Sequence, residues 1–168
     1  MATNQRAEIV MTDEEVTGFL ERSRTATIAT IGPSGMPHLV AMWYGLVDGK
    51  ICIETKTKSQ KVANLRRDNR IVCMIEAGDS YEELRGVSIE GTATIIDDVT
   101  SDDYWDPAIS VYERYMGPYD DEQRPLVEFM MNKRVIVRID PERVRSWDHR
   151  KLGMPAVGVN GSTAGLTP

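Results

Sequence analysis

The densest chemistry in the chain lies in Glu54-Thr55-Lys56-Thr57-Lys58-Ser59-Gln60-Lys61-Val62-Ala63-Asn64-Leu65-Arg66-Arg67-Asp68. Hydroxyls and ammonium groups crowd its first half. From residue 54 to residue 70 there are six basic and two acidic residues, a local charge of +4 in a chain whose total is −6. The residues just before it, Lys50-Ile51-Cys52-Ile53-Glu54-Thr55, are short and β-rich, and Val62, Ala63 and Leu65 then recur among charges as on an amphipathic helix. Ser59 can cap that helix. Unpaired N–H groups and partial positive charge gather at a helix start, so lysines and hydroxyls placed there suit a phosphate. The competing reading is an ordinary solvated basic face. Neither a Gly-rich Walker loop nor a G-x-G-x-x-G turn is present, so any phosphate would be held by side chains and the helix end.

Other chemistries find less support. Two histidines and two separated cysteines do not make a zinc site, and Cys52 and Cys73 read as reduced, buried thiols inside strands. Net negative charge argues against a general nucleic-acid surface. No apolar run approaches the ~20 residues that span a bilayer, and the first residues have no signal-peptide core, which places the expected location in the cytoplasm. No Ser-His-Asp, Cys-His or paired-carboxylate arrangement is evident.

The elements that must position the basic stretch can be read in order. Thr12 and Glu15 form a capping-box pattern before Val16, Phe19 and Leu20, giving a helix over residues 13–21. Residues 24–31 alternate as a strand, Gly32-Pro33-Ser34-Gly35 turns, and residues 38–47 return as a second strand. Asp48-Gly49 leads to a third strand over 50–55, so a three-stranded meander is expected. Residues 70–76 and 86–97 read as the fourth and fifth strands, with a polar loop between them. An acidic segment, 97–122, has nine acidic residues and one arginine. Two helices are expected around it, over 102–116 and 120–131, packing through Ile109, Val111, Tyr112, Tyr115 and Met116, and through Leu126, Val127, Phe129 and Met130. Residues 133–140 form a sixth strand, Pro141 turns it, and 143–148 pair as a seventh. The fold expected is mainly β: a six- to seven-stranded antiparallel split barrel with peripheral helices. Residues 1–11 form an N-terminal arm, 12–152 the barrel domain and 153–168 a flexible C-terminal tail.

Several motifs fall in a familiar order. They are His38-Leu39-Val40-Ala41-Met42-Trp43-Tyr44, the Glu54 to Lys61 stretch, Asn64-Leu65-Arg66-Arg67-Asp68, Arg85-Gly86-Val87-Ser88-Ile89-Glu90-Gly91-Thr92-Ala93 and Ser146-Trp147-Asp148-His149-Arg150-Lys151-Leu152-Gly153. With them the chain resembles the pyridoxamine 5′-phosphate oxidase-like split-barrel superfamily, and within it the actinobacterial flavin/deazaflavin oxidoreductases that use coenzyme F420. The resemblance covers residues 12–152. It implies a homodimer with two equivalent cofactor sites at the subunit interface. It also implies that Met42, Trp43 and Tyr44 lie along the cofactor ring, that Thr55, Lys56, Thr57 and Lys58 run beside its side chain, and that Ser59 and Lys61 hold phosphate. Trp147 joins the ring-lining candidates.

In flavin-phosphate oxidases of that superfamily an arginine commonly precedes the last lysine, and here the position is Gln60. That departure favours F420 over flavin mononucleotide (FMN), with Lys56 and Lys58 placed to meet a longer anionic tail. The expected function is therefore hydride transfer from reduced deazaflavin to an electron-poor conjugated small molecule. The alternatives are an FMN-dependent oxidoreductase of the same superfamily and a non-catalytic cofactor- or haem-type ligand-binding protein. His38 and His149 are the candidate proton donors, each with a structural reading beside it.

Overall fold

The computed structural model describes residues 5–155 and 157. Its centre is one seven-stranded sheet in which every neighbouring pair is antiparallel: β1 (Ala26–Ile31), β2 (Pro37–Met42), β3 (Gly45–Val47), β4 (Lys50–Lys56), β5 (Arg70–Ala77), β6 (Arg85–Ile96) and β7 (Arg134–Asp148). The spatial order is β2-β1-β5-β6-β7-β4-β3. β2 and β3 are the two outer edges, yet only Trp43 and Tyr44 separate them in the chain. Three virtual Cα bonds reach roughly 11 Å at most. The sheet must therefore curl until its edges nearly meet, which makes it a split barrel.

That closure corrects two expectations. The strand expected over 38–47 is broken at Trp43–Tyr44, and its halves pair with β1 and β4 at opposite edges, so there is no three-stranded meander. The break is held by polar bonds to backbone. Tyr115 Oη accepts the Tyr44 N–H at 3.0 Å, Arg114 Nε donates to the Tyr44 carbonyl at 3.0 Å, and Tyr44 Oη donates to Leu20 O at 2.6 Å. Pro141 does not turn the chain either. β7 runs straight through it, with a register shift where Gly91 faces Pro141 and Glu90 faces Arg143. Proline lacks the ladder N–H, and a bulge is where a strand tolerates that loss.

Alternation decides the faces. On β4, Ile51 and Ile53 point into the barrel and join Ile28, Ile75, Val87, Val137 and Ile139, under a lid of Phe19 and Leu20 from α2 (Asp13–Arg22) and Leu65 from α3 (Gln60–Arg67). Cys52 and Ile136 point outward into a second core with Tyr104, Ala108 and Tyr112 of α4 (Asp102–Tyr115) and Val127 and Met131 of α5 (Arg124–Met131). β4 is thus covered on both faces. Both cysteines are free, and burial pushes their thiols up to about 12. The Thr12–Glu15 capping box forms as expected.

The expected packing faces of the acidic-segment helices are only partly right. Val111, Tyr112 and Val127 are buried, but Met116 and Leu126 are exposed and Phe129 is 75% exposed. Along α5 the buried positions are Val127 and Met131, four apart, and Phe129 lies on the other side. Gln5–Glu8 forms a short helical turn, and Met11 N–H donates to Ser146 Oγ at 3.0 Å, so residues 9–11 lie against the end of β7. Most of the tail expected over 153–168 lies outside the described residues. Among the described residues no helix is long and apolar enough to cross a membrane.

Candidate functional site

The end of β4 and the start of α3 bring three of the expected residues together. Thr55 is buried at the inner face of the strand end. Lys61 Nζ donates to Thr55 Oγ1 at 3.0 Å, and Thr55 Oγ1 lies 3.3 Å from Ser59 Oγ. Ser59 is at the N-cap position but makes no side-chain cap bond, contrary to expectation, because its hydroxyl turns to Thr55. The first-turn N–H groups of α3 are consequently not satisfied by Ser59. The helix is fixed by other residues: Val62 and Leu65 are buried, and Asn64, buried in turn, donates to Thr30 Oγ1 of β1 at 3.0 Å. Gln60 Nε2 donates to Asn64 Oδ1 at 2.8 Å, which turns the Gln60 amide along the helix toward this anchor.

Lys61 is half-buried, and among the described residues it forms no ion pair with a carboxylate. Its pKa is lowered, first by burial and then by the nearby Arg134 guanidinium. Arg134 belongs to β7, directly across from Lys56. Its one ion pair among the described residues is a long one, Nη1 to Glu54 Oε2 at 3.8 Å. Glu54 is only 6% exposed, and burial pushes its carboxyl up to about 7 although Arg134 opposes the shift. Glu54 Oε1 and Arg134 Nε are both buried without a hydrogen-bond partner among the described residues.

The remaining expected residues lie elsewhere. Lys56 Nζ donates to Asn132 O at 2.9 Å, and the Thr57 N–H and hydroxyl both donate to Lys133 O, at 3.0 and 3.1 Å, so these two tie β4 to the turn before β7. Lys58 is exposed. Met42 packs on the barrel core, and the Tyr44 ring is wholly buried in the seam described above, with the Arg114 guanidinium 4.6 Å from its centre. Trp43 is 51% exposed and stacks on Tyr115, centroids 4.3 Å apart and planes 8° off parallel. It offers a flat aromatic surface at the barrel seam. Trp147 is half-buried at the opposite end of β7 from Arg134, roughly 40 Å along the strand path. Within one chain it is not part of the Thr55 corner. His38 Nδ1 is buried without a partner among the described residues, and His149 Nδ1 lies 2.7 Å from Tyr81 O.

Glu54 and Arg134, on the outer face of this end of the barrel, and Asn64 of α3 are the polar residues whose roles the sequence reading missed. A signal for Glu54 was available. It stands two residues after Cys52 in a β-rich run, so alternation carries a carboxylate to the face where the neighbouring side chain is buried, and a buried carboxylate needs a cation. Nothing in the sequence reveals that the cation would come from a residue 80 positions later.

A curled antiparallel sheet with helices over its ends, and a cationic strand-to-helix corner at one of them, defines the split-barrel class. Residues 12–148 match the family model described as pyridoxamine 5′-phosphate oxidase, and the chain belongs to that family. A solved structure described as conserved hypothetical protein Rv2991 from Mycobacterium tuberculosis is 57% identical, covers 96% of this chain and all of that one, and superposes with a TM-score of 0.89. An F420 reductase is similar at 24% identity, over 79% of this chain and 98% of that one, with a TM-score of 0.58. An FAD-binding protein from Mesorhizobium loti is similar at 18% identity, over 82% of this chain and 94% of that one, with a TM-score of 0.59. The last two likenesses concern the fold. No functionally curated protein matches the chain.

Proposed function

We propose that this protein is a flavin-type oxidoreductase that holds the phosphate of FMN against Thr55, Ser59 and Lys61. The observation that carries the reading is Lys61: a half-buried ammonium, hydrogen-bonded to a hydroxyl, its charged form disfavoured by burial and by the charge of Arg134, and without a carboxylate partner among the described residues. Cations are brought together out of water at a cost unless an anion joins them. Two hydroxyls and a first helical turn complete a compact set of donors, of the size of one terminal phosphate. The fold likeness to the F420 reductase and the FAD-binding protein accords with a cofactor of this kind.

Such a cofactor, when bound, supplies hydride chemistry. The chain's own part is to bind it, to orient its ring and to keep water from the reacting pair. Trp43, open on one side and backed by Tyr115, suits the ring, and Trp147 of a second subunit suits the opposite wall of a shared site. Neither histidine is placed at the Thr55 corner, so no protein acid is assigned.

Coenzyme F420 is the second reading. It is favoured by Gln60, whose amide is turned to Asn64 and gives a phosphate dianion no bidentate partner, and by the exposed Lys58. It ranks below FMN because Lys56, one of the two lysines meant for the longer tail, already donates to Asn132 O. Parallel fluorescence titrations with FMN and F420 at the same salt and pH test the ranking. FMN is expected to bind more tightly, and Lys61→Ala is expected to weaken its binding by about 1.5–3 kcal/mol with unchanged circular dichroism. Tighter F420 binding would reverse the order. Equal affinity of the Lys61→Ala variant would remove the phosphate corner altogether.

A further inference from the structure

The barrel end opposite the Thr55 corner holds a cavity of about 480 Å³ beneath α2, between the ends of β5 and β7 and the starts of β1 and β6. Arg85 opens β6 there. The register sets it opposite Asp148, as it sets Val87 opposite Ser146, and Val87 belongs to the barrel core, so Arg85 shares the inner face. Its Nε is buried without a hydrogen-bond partner, and among the described residues its guanidinium forms neither a hydrogen bond nor an ion pair. Only the Phe19 ring lies over it, 6.0 Å from centroid to guanidinium carbon. A buried guanidinium is ordinarily bonded to oxygen. The other arginines of the lining show the contrast. Arg150 holds both oxygens of the buried Asp148 carboxylate, at 2.8 and 2.6 Å, and Arg24 Nη1 donates to the carbonyls of Glu21, Arg22 and Ser23 at the end of α2. The lining carboxylates leave Arg85 without a counter-charge. Asp148 is taken by Arg150, and Glu15 accepts from Lys151 at 2.6 Å and from the Thr12 N–H at 2.7 Å. Glu76 is on the outer face of β5, next to the inward Ile75, and forms no ion pair with Arg85 among the described residues.

We propose that this cavity is a second ligand site, for a small organic anion whose carboxylate or phosphate meets Arg85 and whose apolar body lies against Phe19 and Met11. Both apolar residues are buried in the same lining, and a volume of this size suits a ligand of metabolite dimensions. The guanidinium fork matches two oxygens of a carboxylate or phosphate and gains nothing comparable from a neutral group. Arg22, at the exposed rim, forms no ion pair among the described residues and adds a second cation. With the remaining charges of the lining already paired, the site takes one anionic head and not a polyanion. The inference does not depend on FMN binding at the Thr55 corner. β5 starts two residues after α3 and ends at the cavity, so the two sites stand at opposite ends of the barrel.

Calorimetric titration with benzoate, phenyl phosphate and benzamide tests the site, since the three share a ring and differ in charge. Benzoate or phenyl phosphate is expected to bind roughly tenfold or more tightly than benzamide, and the tighter anion identifies the head group. Arg85→Met should weaken that anion about tenfold or more, and Arg85→Lys, which keeps the charge but not the fork, should fall between the two. Lys61→Ala should leave it unchanged. Stability separates a ligand-binding arginine from a structural one: Arg85→Met removes an unbonded buried N–H and breaks no bond, so without ligand it is expected to melt no lower than the wild type. Five results would each overturn the inference. They are benzamide binding as well as the anions, an Arg85→Met variant with full affinity, the same variant melting well below the wild type, binding lost in Lys61→Ala but kept in Arg85→Met, and no binding of either anion up to roughly 10 mM. The fourth of these would assign the anion to the Thr55 corner and leave the phosphate reading standing.

Discussion

At the scale of single residues, Glu54 makes the fold itself sensitive to pH, whatever the corner binds. Its carboxyl sits at about 7 in the folded chain, raised by burial from an ordinary 4.5. Between those values the folded state keeps a proton that the unfolded state has released, so stability falls as pH rises through that window. The direction is opposite to that of Asp148 and Asp140, whose carboxyls are lowered chiefly by hydrogen bonds from Arg150 and Lys50, and which lose their contribution only in acid. Full ionisation of Glu54 should cost on the order of 3 kcal/mol. Urea unfolding at pH 5.5 and 8.5 is expected to show the wild type losing stability relative to Glu54→Gln. A constant difference between the two proteins would mean that the carboxylate is already well compensated by Arg134.

At the scale of elements, what could be read from the sequence is what local rules control. The capping box at Thr12 and Glu15, the alternation of β1 and β5 and the β4-to-α3 junction all follow from neighbours a few residues apart. The features that escaped depend on distant partners. Ser59 has the right residue type for a cap, but Thr55 and Lys61 compete for that corner. Residues 38–47 read as one strand because nothing local says that Tyr44 will be bound by Arg114 and Tyr115. Pro141 reads as a turn because its bulge is defined only by Gly91 on the neighbouring strand. That glycine allows the close approach: a Cβ there would press into the Asp140 carbonyl oxygen. The bulge is also a tie point, since the Asp140 carboxylate accepts from Lys50 of β4 at 2.7 Å and from Thr94 of β6 at 2.8 Å. Gly91→Ala is therefore expected to destabilise the chain by roughly 1–3 kcal/mol in urea unfolding, since backbone rather than a movable side chain must give way. An unchanged midpoint would show that the bulge relaxes freely.

At the scale of the whole molecule, one sheet face is left uncovered by the helices among the described residues. The register sets Leu39 of β2, Ala29 of β1 and Val72 of β5 in one row, and Ala41, Thr27 and Met74 in the next. Leu39, Val72 and Met74 are all exposed, Leu39 by 62%. The strip ends in an ion pair between Glu90 and Arg145, a polar border to an apolar patch. Rows of apolar side chains across three strands, without a covering element among the described residues, suit a second copy placed over them by a two-fold axis. The same arrangement would account for the separation of the expected site residues. Trp147 lies at the far end of β7 from the Thr55 corner, so a site with both needs two chains. Light scattering at micromolar concentration is expected to give twice the chain mass. Val72→Asp combined with Met74→Asp should yield a folded monomer, because two buried carboxylates would have no partners at the interface while each stays solvated in the single chain. If the proposed FMN site is shared between subunits, that monomer should also bind FMN more weakly, since the wall proposed for Trp147 leaves with the partner. A monomeric wild type would contradict the shared site, and a dissociated variant with full FMN affinity would confine the cofactor to one chain and remove Trp147 from it.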